Sequence, residues 1–193
     1  MNHALADLSY VYAKMGQMDE IRPLYERSKE IVHRAPRNLT VIVSAARIAK
    51  LLGLREEAMA FYQQALTIVD SDKPALHANV LYLIAQLLVQ NGKYDDAKKI
   101  YKESIGFFEK APRDLAYVPV LIDLAGLYVK LRGYKEAESY FNKAIALLKT
   151  TPNRPMIPTL LKNLAALYRQ WGKPLQAAQI EEQLKQLSST QPQ

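Results

Sequence analysis

Apolar residues recur along this chain in a pattern that is written five times. In its clearest copy, a first segment carries Leu121, Leu124 and Tyr128 around the small residue Ala125, and a second segment follows Gly133. Spacings of three and four residues place these apolar side chains on one face of an α-helix. Each copy therefore predicts two helices that are joined by a short turn.

The small residue of the first helix aligns the five copies. It is Ser9, Ala46, Ala85, Ala125 and Ala165, with spacings of 37, 39, 40 and 40 residues. A small side chain here lets the second helix approach, because a larger one would push the two axes beyond the ~8–10 Å of ordinary helix packing. The packing positions around it are filled by Leu5, Leu8, Tyr12, Ile42, Ala45, Ala49, Leu81, Ile84, Leu88, Leu121, Leu124, Tyr128, Leu161, Leu164 and Tyr168.

A glycine follows each first helix, where a left-handed backbone ends a helix without a penalty from Cβ. These glycines are Gly16, Gly53, Gly92, Gly133 and Gly172. Gly133 is displaced by one position, so we expect its turn to differ. The second helices carry two core residues four positions apart, namely Ile21 and Tyr25, Ala58 and Tyr62, Ala97 and Tyr101, and Ala137 and Phe141.

The last copy differs from the others in a way that fits the end of a stack. Glu181 stands where the other second helices carry an aromatic residue, and the surrounding helix is mostly polar. Terminal repeats need such a polar outer face. At the other end, the first helix begins close to Met1 without a convincing cap, which we interpret as an artificial chain boundary.

The pattern predicts an all-α, right-handed solenoid of five helical hairpins, with proline-containing seams between them. We expect one domain over residues 1–188, with units at about 1–36, 37–73, 74–112, 113–153 and 154–188. Residues 189–193 are expected to form a flexible tail.

These residues resemble the tetratricopeptide repeat, whose usual unit has about 34 residues. The excess lies after the second-helix aromatic, since 20 residues separate Tyr101 from Leu121. Longer units of this kind are similar to the repeats of kinesin light chain. The segment IRPLYERSKEI at 21–31 resembles that family's second helix, and LLKNLAALY at 160–168 resembles its first helix with an inward asparagine. The resemblance implies that first helices line a concave face where protein ligands bind.

Composition narrows the class of protein. The 193 residues are 49% apolar without a run long enough to span a bilayer or a recognisable signal peptide, so we expect a soluble, cytoplasmic protein with no membrane partner. The lack of cysteine excludes disulfides and thiolate metal sites. A net charge of +7 favours acidic partners, although the 26 Lys and Arg are spread over every repeat, as on an ordinary solvated helical surface.

Catalytic and metal-binding constellations are not evident in the sequence. His3, His33 and His77 fall in different units at unlike positions of the repeat. Neighbouring carboxylates, such as Glu56 and Glu57, point about 100° apart on a helix and cannot share a reacting atom. No phosphate-binding loop, nucleophile elbow or His-Glu metal motif occurs. We therefore expect no enzyme activity, no cofactor and no metal.

The register implied by the resemblance leaves a set of first-helix residues free to face a groove, among them Ser44. Its charged members are six cations and two acids, Asp7 and Asp123, which gives a basic lining. Tyr10 and Tyr82 lie outside the packing pattern and can supply contact area. Asn163 resembles the inward asparagine that holds a peptide backbone. The candidate peptide-binding residues are Tyr10, Lys14, Arg47, Lys50, Tyr82, Gln86, Lys130, Lys162, Asn163 and Arg169.

The sequence thus predicts a protein-interaction scaffold that binds a short acidic peptide segment in its concave groove. One alternative is a structural module for assembly or homo-oligomerisation within a larger protein. A helical-repeat nucleic-acid binder is less favoured, because no pair of base-reading side chains recurs in each unit.

Overall fold

The computed structural model describes residues 2–70, 72–110, 116–150 and 154–189. Within these ranges the chain forms helices and no strand. The α-helices are α1 Asn2–Lys14, α2 Ile21–Arg34, α3 Leu39–Leu51, α4 Arg55–Ile68, α5 Pro74–Gln90, α6 Tyr94–Glu109, α7 Tyr117–Lys130, α8 Tyr134–Lys149, α9 Ile157–Gln170 and α10 Pro174–Ser189. Short 3₁₀ turns lie at Met18–Glu20 and Arg154–Met156. The predicted all-α class and the helical hairpins are confirmed.

The helices form two compact units, Met1–Pro112 and Arg113–Gln193. The first unit contains α1 to α6, and within it α3 packs against α1, α2 and α4, while α5 packs against α4 and α6. The second unit contains α7 to α10, where α7 packs on α8, α8 on α9 and α9 on α10. The boundary falls between the third and fourth predicted hairpins. The single domain over residues 1–188 stays a prediction, and most of the predicted tail, residues 190–193, lies outside the described residues.

The small residues of the first helices lie in the core, as predicted. Ser9, Ala46, Ala85 and Ala125 are fully buried, and Ala165 is nearly so. The hydroxyl of Ser9 donates a hydrogen bond to the Leu5 carbonyl, 2.7 Å away. This local bond satisfies the only polar side chain among the five small residues.

The packing prediction is wrong at Leu8, which is 41% exposed rather than buried. Within the described residues α1 packs mainly on α2, on α3 and on the turn that follows it. Leu8 lies on the opposite side of α1, together with the exposed Val11 and Met15. The repeat pattern assigns the same role to every copy, whereas in the described part of the chain the helices that pack on α1 lie on one side of it.

The turns inside the hairpins follow the glycine pattern, with one informative exception. Gly16, Gly53, Gly92 and Gly172 have φ between 73° and 75°. In the fourth hairpin Arg132 takes the left-handed position, with φ of 60°, and Gly133 has φ of −81°. A Cβ on Gly133 would lie 2.8 Å from Cδ1 of Tyr128. The displaced glycine therefore makes room for the Tyr128 ring, and the turn differs as expected.

None of the helices in the described residues combines the length and the apolar character needed to cross a membrane.

Candidate functional site

A groove in the first unit is formed by α1, α3 and α5, which are the first helices of three successive hairpins. Its volume is about 570 Å³, which lies within the usual range of ligand sites. Five of the predicted site residues line it, namely Tyr10, Arg47, Lys50, Tyr82 and Gln86. The other lining residues are Ala6, Val43, Leu51, Asn79, Leu83 and Gln90.

The repeat register explains why these residues meet in one groove. Three residues before the buried small residue, α1 has Ala6, α3 has Val43 and α5 has Tyr82. One residue after it, the same helices have Tyr10, Arg47 and Gln86. Positions four apart lie on one face of a helix. Stacked first helices therefore present the same face to the same side.

The middle helix of the groove contributes its positive charge. Arg47 and Lys50 of α3 are half-buried, and no Asp or Glu lines the groove within the described residues. Arg47 forms no ion pair with any carboxylate in the part of the chain that the structure describes. Burial raises the pKa of the nearby Tyr62 hydroxyl above its usual range, and the positive charge of Arg47 opposes that rise. A half-buried cation without a carboxylate partner is well suited to an anionic ligand.

The two predicted aromatic anchors stand on the helices that flank α3. Tyr10 of α1 is 50% exposed, and Nζ of Lys14 lies 5.4 Å from the centroid of its ring. Tyr82 of α5 is half-buried, and its hydroxyl accepts a 2.8 Å hydrogen bond from Nε2 of Gln86. The Tyr82 ring also lies 6.2 Å from the ring of Tyr101 in the core. Tyr82 is therefore held in place, whereas Tyr10 extends from the groove wall.

Lys14 lies on α1 and is not among the described residues that line the groove, and the other four predicted residues lie in the second unit. Lys130, Lys162 and Asn163 are exposed. Arg169 is paired with Glu181 of α10, so much of its charge is neutralised inside its own hairpin. The register position after the buried small residue is Gly126 in α7 and Ala166 in α9. This face of the second unit therefore lacks the large side chains that α1, α3 and α5 carry at the same position.

Sequence reasoning missed the apolar lining, and it placed in the groove some polar residues that do not line it, among them Asp7 and Ser44. Ala6, Val43, Leu51 and Leu83 line the groove, although the predicted lining consisted of polar and aromatic side chains. The repeat register could have predicted this apolar lining, because Ala6 and Val43 occupy the same repeat position as Tyr82, which was expected to face the groove. Ser44, which was expected to face the groove, is 2% exposed, because α3 has packed helices on several sides.

Two equivalent tyrosines of the second helices differ in their hydrogen bonding. The Tyr25 hydroxyl donates a 2.6 Å bond to Oε2 of Glu57 in the next hairpin. The Tyr62 hydroxyl is buried and has no partner in the described part of the chain. Asp96 stands where Tyr62 would find its carboxylate, but its side chain is one methylene shorter and it lies 3.9 Å from Nζ of Lys99.

Because of this difference, we expect replacement of each tyrosine by phenylalanine to change the free energy of unfolding in different directions. We expect Tyr25→Phe to lower the free energy of unfolding by about 1–2 kcal/mol, because it removes a bond to a charged acceptor. Tyr62→Phe is expected to be neutral or to raise it by up to about 1 kcal/mol, because it removes a buried unpaired hydroxyl. Urea unfolding of both variants measures the difference, and equal losses would show that the Tyr62 hydroxyl has a partner.

The histidines are separate from one another in the described chain. His77 stacks on Phe107 with ring centroids 4.3 Å apart, and His33 is exposed near the end of α2. The side chain of His3 lies outside the described residues. Across the described ranges, no three His, Asp or Glu side chains are grouped so that they could hold a metal ion.

Comparisons with known proteins agree with the hairpin repeat. A segment of 79 residues, 40% of this chain, is 33% identical to the human SH3 domain and tetratricopeptide repeat-containing protein 2, but it spans only 6% of that protein. Nearly identical TPR-like repeats from Podosopora anserina, ascribed to a kinesin light chain, superpose with a TM-score of 0.75 at 19% identity, covering 98% of this chain and 97% of theirs.

Two further solved structures share the fold. BtubC (BKLC) from P. vanneervenii has a TM-score of 0.76 at 19% identity and covers all of this chain and 84% of its own. A signal transduction ATPase with a tetratricopeptide repeat sensor from Pyrococcus horikoshii has a TM-score of 0.75 at 15% identity, over 98% of this chain and 30% of that one. These identities establish the likeness of fold alone.

The family profile of the tetratricopeptide repeat matches residues 1–71, 76–150 and 120–187. These matches cover almost the whole chain and agree with the helical hairpins described above. The chain belongs to the tetratricopeptide repeat family.

Proposed function

We propose that the groove of α1, α3 and α5 binds a short acidic peptide segment and that the protein acts as an interaction scaffold without catalysis. The tetratricopeptide fold is in general that of a protein-interaction scaffold. The observation that carries the acidic specificity is the position of Arg47 and Lys50, half-buried on the middle helix of a groove that no described carboxylate lines.

Charge and shape contribute to different parts of this recognition. A ligand carboxylate at Arg47 can accept charge-assisted hydrogen bonds, which are about twice as strong as bonds between neutral groups. The partial burial of the site reduces the screening of this attraction by solvent. Tyr10 and Tyr82 offer aromatic surface on either side, at a low cost in side-chain entropy. We therefore expect the ligand to combine an acidic residue with neighbouring apolar ones.

The predicted residues of the second unit are proposed as a separate set of contacts. Lys130, Lys162 and Asn163 are exposed, and the Asn163 amide can both donate to and accept from a peptide group. We assign Arg169 a smaller part, because Glu181 already neutralises it. Lys14 contributes to the first groove mainly by its contact with the Tyr10 ring.

Affinity capture from a native lysate tests the proposal. The captured partner is truncated to its shortest binding segment, and that segment is then titrated as a peptide and with its acidic residues changed to the corresponding amides. We expect the acidic peptide to bind and the amide form to bind at least tenfold more weakly. Capture that disappears after nuclease treatment, or a segment that binds equally well as the amide form, would contradict the proposal.

The assembly role is favoured by a different observation on α1. Leu8, Val11 and Met15 are 41%, 49% and 63% exposed and follow one another at helical spacing, so they form an apolar stripe. This second candidate function predicts a molecular mass that rises with concentration in sedimentation. Val11→Lys should abolish that rise, while Lys14→Gln on the same helix should leave it unchanged.

The cytoplasmic location is likewise a proposal. A chain without cysteine is compatible with a reducing compartment. Fractionation of cells that express the complete protein tests it.

A further inference from the structure

A second groove, independent of the peptide groove, lies within the second unit. The helices α8 and α10 form its walls and α9 forms its floor, with a volume of about 770 Å³. Six of the ten described residues that line it are aliphatic. The lining consists of Asn142, Ile145, Lys149, Ile157, Leu161, Leu164, Ile180, Gln183, Gln186 and Leu187.

The helical register shows that each helix turns one continuous face to this groove. Along α9, Ile157, Leu161 and Leu164 are spaced by four and three residues, and the other two helices repeat such spacings. Residues at these intervals form a single strip on a helix. The groove therefore runs along the helices, which gives it the form of a channel.

Comparison with the third hairpin explains why this channel is open. In α5 and α6, His77 and Phe107 stand at the positions that Ile157 and Leu187 occupy in α9 and α10. The two rings stack with centroids 4.3 Å apart, and Nζ of Lys110 lies 5.2 Å from the Phe107 ring. The fifth hairpin has smaller aliphatic side chains at these two positions in place of the stacked rings. The space between them therefore stays open and is lined by apolar surface.

The described lining of the groove carries a single charge, which is a cation. Lys149 at the end of α8 is the only charged residue among the described ones that line the groove, and no described carboxylate pairs with it. The corresponding residue of the second hairpin is Asp70, just after the end of α4, and it is paired with Lys73 at 2.8 Å. The three amides of the lining can accept or donate hydrogen bonds but add no charge. The groove thus combines an aliphatic channel with one free positive group.

The lining and the size of the groove suit a small apolar molecule. Aliphatic side chains predominate among its described lining residues, whereas the first groove presents Arg47, Lys50 and two tyrosines. The volume of this second groove falls within the range of about 300–1,000 Å³ that is usual for small-molecule sites.

We propose that this groove binds a free long-chain carboxylate. The aliphatic chain lies along Ile145, Leu161 and Ile180, and the carboxylate lies at Lys149. Burial of each additional methylene tightens binding about fourfold for as long as the chain still fits the channel. The amide side chains along the walls stay hydrated at the open side, where the channel meets solvent.

The experiment titrates the intact protein by calorimetry with laurate, decanoate and dodecanol, each below the concentration at which it self-associates. Laurate is expected to bind more tightly than decanoate by about 15-fold, since it has two more methylenes. Dodecanol is expected to bind more weakly than laurate, because it cannot pair with Lys149. Failure of laurate to bind, or equal affinity for all three compounds, overturns the proposal.

Two matched pairs of variants locate the site. Leu187→Phe restores bulk at the position of Phe107 and should weaken laurate binding at least tenfold, whereas Leu175→Phe, at a 77% exposed position of the same helix, should not. Lys149→Gln should weaken laurate three- to tenfold and leave dodecanol unchanged, while Lys185→Gln, at another exposed lysine, should affect neither. Because Lys149 is exposed, its change tests the site even if Leu187→Phe disturbs folding. Equal effects within either pair would overturn the proposal.

Discussion

Ala125→Leu is expected to lower the free energy of unfolding of the second unit by about 1–3 kcal/mol. Ala125 is fully buried on α7, at the point where the repeat register requires a small side chain for close approach of the second helix. The added atoms have no space there, so they force either off-rotamer side chains or a shift of the helix. The effect follows from overpacking and not from any loss of contacts.

The sole tryptophan makes this prediction easy to measure. Trp171 lies between α9 and α10, so its fluorescence in urea follows the unfolding of the second unit. Ala166→Leu is the matched control, because it makes the same chemical change at an exposed position of α9. An unchanged midpoint for Ala125→Leu, or an equal loss in the control, would contradict the helical register.

The double variant Arg47→Glu and Lys50→Glu is expected to weaken binding of the captured acidic segment by about 100-fold or more. Each change removes an attraction from the half-buried middle of the groove and adds a repulsion. The double variant Lys98→Glu and Lys99→Glu makes the same change of net charge on α6, where both lysines are paired with neighbouring aspartates. This control should retain affinity within a few-fold.

Salt dependence distinguishes this result from nucleic-acid binding. A short peptide offers few charges, so its affinity should fall modestly between low and physiological salt. A phosphate backbone would release many counterions and give a steep logarithmic slope. It would also lose affinity to a similar extent in both double variants, which is the outcome that would contradict peptide recognition in the groove.

The repeat pattern was sufficient to predict the fold because its signals act locally. Helical spacing, a small residue at the helix crossing and a left-handed glycine each depend on a few neighbouring positions, and together they predicted the hairpins. The exception at Gly133 was also visible in the sequence. Its cause was not, because the 2.8 Å approach of the Tyr128 ring to the place of a Cβ depends on how the folded turn directs that ring.

Properties that depend on neighbouring elements were harder to predict. Leu8 and Leu124 occupy the same repeat position, but Leu8 is exposed because no described helix covers that side of α1. The pairing of Arg169 with Glu181 joins two helices through long side chains, whose conformations the sequence does not determine. Half of the candidate site residues met in one groove because the register placed them there, whereas the apolar lining was missed.

Site-specific photo-crosslinking shows directly whether the ligand lies on the face formed by α1, α3 and α5. A photoreactive amino acid replaces Gln90, which lies exposed at the edge of this groove, or Gln63, which is exposed on α4 and does not line it. We expect the captured acidic segment to crosslink at position 90 and not at position 63, and we expect excess free peptide to abolish the crosslink. Efficient crosslinking at position 63 with none at position 90 would contradict the proposed site.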